Sequence, residues 1–247
     1  MTKHTLTIPR TARYYTLPPP DEGPVREVWV VCHGYGQLAS HFLRHFQAIV
    51  APGRLIVAPG RLIVAPEGLS RFYLDGADGQ GNHGTYQRIA ASWMTRDDRD
   101  AEIADQVAYL DAVFAEVCAR HDVDPKAARL VGFGFSQGAA TIGRWLDRSP
   151  LLAERSHRAQ RFITWGNVPP HDLDWPEARA TWLDAADVQI VVGAEDPFLT
   201  PEHLAQAQVV LDGIGVAYEV VCFDGGHRLH AETLREVAGA VADGVRS

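Results

Sequence analysis

One serine of the sequence lies in a setting that suits a nucleophile. Gly134-Phe135-Ser136-Gln137-Gly138 matches the pattern G-x-S-x-G, and it lies between an apolar strand-like run and a helix-like run. A sharp turn from strand to helix lifts a serine hydroxyl clear of the sheet, and small neighbours leave room for the tight backbone. The hydroxyl still needs a base to take its proton. The alternative is a glycine-rich turn with an incidental serine.

The base, and the acid that would orient it, are expected at the ends of later strands. Asp196 follows the apolar run VQIVVG, and His227 follows AYEVVCF. The carboxyl ends of parallel strands meet at one edge of a sheet, so we expect both to converge with Ser136. His227 would take the serine proton, and Asp196 would hold the imidazole in the required tautomer. Glu195 and Asp224 are nearby carboxylates that compete for the acid's role.

Acyl transfer also needs hydrogen-bond donors for the oxyanion of the tetrahedral intermediate. The backbone N–H of Gln137, directly after the serine, is one candidate. The run VWVVC leads into His33-Gly34-Tyr35-Gly36, and the Tyr35 N–H is the other candidate. A glycine turn that only packs a strand against a helix is the alternative. His33 is expected to brace this loop rather than to bind a metal.

Two further sets of candidate ligands are weaker, and we predict no metal site. His41 and His45 stand one helical turn apart but lack the glutamate of an H-E-x-x-H motif, so a solvated helix face is expected. Asp75 and Asp78 lie in a glycine-rich stretch without the spacing of a calcium loop.

Strand-like and helix-like stretches alternate along the chain and must position these residues. The strand-like runs are EVWVVC (27–32), RLIVAP (61–66), ARLVGF (128–133), RFITW (161–165), VQIVVG (188–193) and AYEVVCF (217–223). Continuous apolar runs are typical of strands covered on both faces, and residues 101–120 have the clearest helical period. The pattern predicts an α/β fold: a mostly parallel, doubly wound sheet with helices on both faces. The opening run, which Pro9 interrupts, predicts an antiparallel hairpin or edge pair.

Length and composition favour a single domain over residues 1–247. A chain of 247 residues that is 46% hydrophobic can bury a large core. A net charge of -8 without a basic cluster argues against a nucleic-acid partner. No apolar run of about 18 residues and no signal-peptide pattern is present, so a cytoplasmic protein without a membrane span is expected. Cys32, Cys118 and Cys222 are expected to be buried free thiols, and a homodimer is left open.

The sequence resembles the phospholipase/carboxylesterase family of α/β-hydrolases, which contains acyl-protein thioesterases and small bacterial carboxylesterases. The resemblance rests on HGYG (33–36), GFSQG (134–138), GAEDPFLTPE (193–202) and GGH (225–227). It implies an α/β-hydrolase fold with a minimal lid that cleaves carboxylic esters or thioesters without a cofactor. It also implies that Ser136, Asp196 and His227 form a catalytic triad. By the same resemblance, Tyr35 and Gln137 form the oxyanion hole.

Two residues depart from the pattern of many family members and weaken any transfer of substrate preference. Gln37 stands where many carry an acid after the glycine loop, and Ala139 stands where many carry another glycine. The stretch SRFYLDG…ASWMTRDDR resembles the bacterial esterase branch more than the thioesterases that act on lipidated proteins.

The substrate class is predicted from the residues expected to overhang the strand ends. Phe72, Tyr73, Trp93 and Met94 would suit a small apolar acyl or alcohol group, with Arg71 as a polar handle. We therefore expect a serine carboxylesterase that hydrolyses short-chain esters, with a small-molecule ester as its partner. The alternatives are a thioesterase or lysophospholipase, and a non-catalytic binding protein on the same fold.

A repeated stretch leaves the register of one strand open. Residues 49–59 are identical to the residues seven places later, which we interpret as a short tandem duplication. We expect the second copy, residues 61–66, to occupy the sheet, and the first copy, residues 51–60, to lengthen the connection before it. The competing register puts residues 54–59 in the sheet and adds seven residues to the rim of the active site.

Overall fold

A seven-stranded mixed sheet carries the fold. The structure, a computed structural model, describes residues 1–19, 23–50, 60–74, 88–155 and 158–239. The strands are β1 (Tyr14–Leu17), β2 (Glu27–Cys32), β3 (Arg61–Pro66), β4 (Ser70–Leu74), β5 (Arg88–Ser92), β6 (Arg129–Phe135), β7 (Arg161–Trp165), β8 (Asp187–Gly193) and β9 (Glu219–Phe223). Among the described residues, the large sheet has the order β1-β3-β2-β6-β7-β8-β9, in which β1 runs antiparallel to its neighbour and the other strands pair in parallel. A separate antiparallel pair joins β4 to β5.

Helices connect these strands. They are α1 (Ala39–Phe42), α2 (Gln47–Val50), α3 (Arg99–Arg120), α4 (Gln137–Arg148), α5 (Pro150–Ala153), α6 (Trp175–Thr181), α7 (Pro201–Ile214) and α8 (Ala231–Gly239), with 3-10 turns at Leu43–Phe46 and Leu183–Ala185. In the described part of the chain, no helix combines the length and the apolar character that a membrane crossing requires.

The central strands are buried on both faces, which explains their continuous hydrophobicity. Val28 and Val30 of β2 belong to a core shared with α3 and α4. Trp29 and Val31, on the opposite face, belong to a second core shared with α1 and α8. Successive residues of a strand point to opposite faces, so a strand between two helical layers must be apolar at every position.

The elements agree with the sequence predictions at most positions. The six predicted strands are present with ends within two residues of those expected. The predicted antiparallel edge is also present, as the single strand β1. The predicted burial of Cys222 is wrong, because its side chain on the edge strand β9 is exposed, whereas Cys32 and Cys118 are buried.

The structure settles the register of β3. Arg61–Pro66 forms this strand, as predicted, while residues 51–59 of the first copy lie outside the described residues. A steric constraint at Gly68, two residues after the end of β3, favours this register. A Cβ at Gly68 would lie 2.5 Å from the carbonyl oxygen of Ser92, which leaves room for glycine alone. The competing register would bring Arg61 to this position, where its side chain would clash with Ser92 O on the present backbone path.

Candidate active site

Ser136 lies on a strained turn at the carboxyl end of β6. Its φ of 53° is positive, and α4 begins at the next residue. The flanking glycines are required by space: a Cβ at Gly134 would lie 2.3 Å from Ala139 Cα, and one at Gly138 would lie 2.2 Å from Cys32 O. Positive φ at a residue other than glycine costs free energy and is concentrated at functional sites. The turn therefore has the geometry predicted for a nucleophile, with Ser136 partly exposed.

His227 and Asp196 form a hydrogen-bonded pair at the same edge of the sheet. The distance from His227 Nδ1 to Asp196 Oδ2 is 2.7 Å. The other carboxylate oxygen, Oδ1, accepts the backbone N–H groups of Phe198 at 2.8 Å and Leu199 at 3.1 Å. Both oxygens of the buried carboxylate are thus engaged, which fixes its orientation toward the imidazole. The pair can hold one tautomer of the histidine, with Nε2 left to accept a proton.

Asp196 is the carboxylate that contacts His227, whereas its two competitors point elsewhere. The side chains of Glu195 and Asp224 are exposed. The backbone N–H of Glu195 donates to Gly225 O at 2.9 Å, so the acid loop and the histidine loop are joined directly.

Gly166, at the end of β7, connects the serine turn to the histidine. The Ser136 N–H donates to Trp165 O at 2.8 Å, and the Asn167 side chain donates to Ser136 O at 3.0 Å. Gly166 has a φ of 63°, and a Cβ there would lie 2.8 Å from His227 Cε1. In the described part of the chain no hydrogen bond joins Ser136 Oγ to His227, although such bonds often tighten only when substrate binds. The end of β7 therefore contacts both the Ser136 turn and the His227 imidazole.

The loop after β2, residues 33–37, which we call the Tyr35 loop, is held by two side chains. The Gly34 N–H donates to Gln37 Oε1 at 2.8 Å. His33 is buried, with Nδ1 2.8 Å from Gly34 O, and its Nε2 accepts the Gly68 N–H at 3.0 Å. Burial lowers the pKa of His33, so the ring stays neutral. His33 therefore braces the loop, as expected.

Two backbone N–H groups remain available in the turns that follow β2 and β6. Within the described residues, the N–H groups of Tyr35 and Gln137 donate no hydrogen bond. Gln137 is the first residue of α4, and the first N–H groups of a helix have no partner within the helix. Both groups are therefore free to bind an oxyanion.

The predicted substrate-binding residues differ in exposure. Tyr35 is 62% exposed, and its ring packs in a tilted arrangement against Phe72 of β4, at 5.5 Å between centroids. Arg71 and Tyr73 are exposed on the same strand. These side chains lie at the surface beside the Tyr35 loop, where an apolar group could contact them.

Trp93 does not fit the predicted pocket lining. Its side chain is 1% exposed, and its Nε1–H donates to His33 O at 2.8 Å. An indole buried in this way packs the core and holds backbone, so it is not available to a substrate. Met94 is only partly buried, and its sulfur accepts from Arg144 at 3.3 Å.

Two phenylalanines that the sequence analysis did not single out contact the histidine. Phe135 and Phe198 each lie 4.8 Å from His227 between ring centroids. Phe198 is 71% exposed, although it is a large apolar side chain. The sequence did contain an indication of Phe198, because this aromatic residue stands two positions after the predicted acid in the stretch DPFL (196–199).

No described group of three or more histidine, cysteine or acidic side chains is arranged to hold a metal ion. His41 and His45 are exposed, as predicted for a solvated helix face. Asp75 and Asp78 lie outside the described residues.

Comparison with known proteins identifies the fold. No protein-family model matches the chain, and no curated protein matches its sequence. Esterase PE8 matches with a TM-score of 0.65 and 18% identity, over 95% of this chain and 99% of that one. A carboxylesterase from Mesorhizobium loti matches at 0.63 and 19%, over 94% and 95%. Zea mays acyl-protein thioesterase 2 matches at 0.61 and 18%, over 94% and 98%. The chain has the α/β-hydrolase fold.

Proposed function

We propose that the protein is a serine hydrolase of carboxylic esters, with Ser136 as nucleophile, His227 as base and Asp196 as the orienting acid. The observation that carries the proposal is the contact at the end of β7. There one strand end is bonded to the strained serine turn and packs against the hydrogen-bonded histidine–aspartate pair. The structural likeness to proteins titled esterase, carboxylesterase and thioesterase supports the same chemistry.

Acylation follows from these assignments. As Ser136 Oγ attacks the ester carbonyl carbon, His227 Nε2 takes the hydroxyl proton and Asp196 stabilises the resulting imidazolium. The carbonyl oxygen becomes an oxyanion, which the backbone N–H groups of Tyr35 and Gln137 bind. One such donor is worth about 10²–10³ in rate. The intermediate collapses when His227 returns the proton to the leaving alcohol, and the acyl group remains on the serine.

Deacylation repeats these steps with water. His227 takes a proton from the water that attacks the acyl-enzyme, and the oxyanion forms in the same two-donor site. Collapse returns the proton to Ser136 and releases the carboxylic acid. No cofactor takes part in either half.

We assign short-chain esters as the preferred substrates. Exposed or partly exposed aromatic rings from three elements, Tyr35, Phe72 and Phe198, offer apolar contact to a small acyl or alcohol group. Arg71 and Tyr73 on β4 add polar groups at the rim.

A thioester is the second candidate substrate. The same attack and the same oxyanion serve a thioester carbonyl, and the likeness to Zea mays acyl-protein thioesterase 2 favours testing it. A thiolate leaves more readily than an alkoxide, so a thioesterase would depend less on proton return from His227.

A substrate panel tests the proposal. p-Nitrophenyl esters of increasing acyl length and the matching acyl thioesters are assayed with the wild type, with Ser136→Ala and with Ser40→Ala as a control serine. We expect the shortest esters to be hydrolysed fastest, Ser40→Ala to keep full activity and Ser136→Ala to lose it. A wild type inactive on every ester and thioester would instead favour a non-catalytic binding protein.

A further inference from the structure

Residues 91–94, which we call the bridging segment, comprise the last two residues of β5 and the two that follow, and they are bonded to the Tyr35 loop. The Gly36 N–H donates to Ala91 O at 2.9 Å, and the Ala91 N–H donates to Gln37 O at 3.2 Å. These two bonds join the residues directly after Tyr35 to Ala91. The position of the first oxyanion donor is therefore tied to the bridging segment.

The second donor is tied to the same segment by a side chain. The Gln137 amide accepts the Trp93 N–H at 3.1 Å through Oε1 and donates to Met94 O at 2.9 Å through Nε2. The side-chain amide thus uses its oxygen as an acceptor and its nitrogen as a donor, both to backbone groups of the bridging segment. The residue whose N–H would bind the oxyanion is thus fixed at both its backbone and its side chain.

Trp93 completes the connection from within the core. Its indole N–H donates to His33 O, at the start of the Tyr35 loop, at 2.8 Å. The Gln106 side chain, from α3, donates to Trp93 O at 2.8 Å. The ring is buried, so these hydrogen bonds form away from water, where a lost partner is expensive.

We propose that the Gln137 side chain and the Trp93 indole are positioning residues, which set the spacing of the two oxyanion donors through the bridging segment. This inference rests on the proposed function. Donors that are already fixed in the ground state need no reorganisation as negative charge develops, and this is the source of their effect on rate. The two side chains therefore act on the transition state through the backbone, without contact to the substrate.

Matched variants separate positioning from simple structural support. Gln137→Met removes the side-chain bonds to the Trp93 N–H, Met94 O and the Ser92 hydroxyl of the bridging segment, and it keeps the backbone N–H and the side-chain length. Trp93→Phe removes the indole donor. Gln106→Met is the control, because it removes a buried bond to the same segment but no link to either donor loop. Each variant is titrated with a fluorophosphonate to count reactive sites. The kcat and KM per reactive site, and the affinity for a trifluoromethyl ketone analogue, are then measured.

We expect Gln137→Met to lower kcat per reactive site by roughly 10–100-fold, less than the loss of a whole donor. KM should stay within about twofold, because ground-state binding does not use these donors. Affinity for the ketone, which presents an oxyanion to the site, should fall by the same factor as kcat. Trp93→Phe should show a smaller loss of the same kind, and Gln106→Met should keep kcat and ketone affinity.

Equal losses of kcat in Gln137→Met and Gln106→Met would overturn the proposal, because the effect would then be general support of the segment. An unchanged kcat in Gln137→Met would overturn it as well. Absence of labelling and hydrolysis in the wild type would instead reject the proposed function and this inference with it.

Discussion

Gly166→Ala should impair catalysis more than it impairs folding. Gly166 has a φ of 63°, and an added Cβ would lie 2.8 Å from His227 Cε1 and 2.9 Å from Nδ1. Carbon contacts are normally about 3.5–4.0 Å, so the imidazole must move by roughly 0.7 Å or more. A 1 Å misplacement at a reacting centre can cost about 10²-fold, and we therefore expect kcat to fall by roughly 10–100-fold. The left-handed backbone adds about 1–2 kcal/mol of destabilisation.

Gly215→Ala is the matched control for backbone strain. Gly215 caps α7 with a φ of 78°, and a Cβ there would meet only the flexible end of Arg179, at 3.1 Å. This variant should lose about 1–2 kcal/mol of stability and keep its kcat. The assay combines urea unfolding with kcat per reactive site on a p-nitrophenyl ester. If Gly166→Ala kept kcat within twofold of Gly215→Ala, the inferred displacement of the His227 imidazole by the added Cβ would be wrong.

Three further outcomes are expected. Asp196→Asn should lower kcat by about 10⁴-fold by favouring the wrong tautomer, while Asp224→Asn stays near wild type; the reverse pattern in ester kinetics would reassign the acid. Deletion of residues 51–57 should leave a folded enzyme with the same ester preference, and a large change of preference would place the extra residues at the rim. Burial would raise the pKa of Asp172, but hydrogen bonds from Arg144 and Arg99 hold it well below its usual value. Asp172→Asn should therefore cost roughly 2–3 kcal/mol at pH 7, less than for a fully buried pair. The difference from wild type in urea unfolding should shrink as pH falls below about 4, where the unfolded carboxyl gains its proton; a difference that stays constant down to pH 2 would contradict this.

The strand ends could be predicted because the burial of a strand is visible in its own residues. A strand covered on both faces is apolar at every position, and each predicted site residue follows such a run directly. The strands β4 and β5 were not predicted, because they are partly polar and, within the described residues, form a separate two-stranded sheet. His41 and His45 were expected one turn apart on one helix, whereas the structure places His41 in α1 and His45 in the 3-10 turn that follows.

The fate of individual aromatic residues could not be predicted in the same way. Trp93 and Phe198 both stand in loops at the catalytic edge, and either could pack inward or line a site. A hydrogen bond from the indole to His33 O accompanies the burial of Trp93, whereas Phe198 packs edge-on against His227 at the surface. These contacts join residues distant in the chain. The register of β3 was open for the same reason, because the constraint at Gly68 comes from Ser92.

The most direct test of the central assignment is the site of covalent modification. The wild-type protein is treated with a fluorophosphonate, and the mass of the intact chain and of its peptides is measured. We predict one adduct per chain, on Ser136, and no adduct in Ser136→Ala. An adduct on another residue, or equal labelling of Ser136→Ala, would contradict the assignment of this serine as the nucleophile.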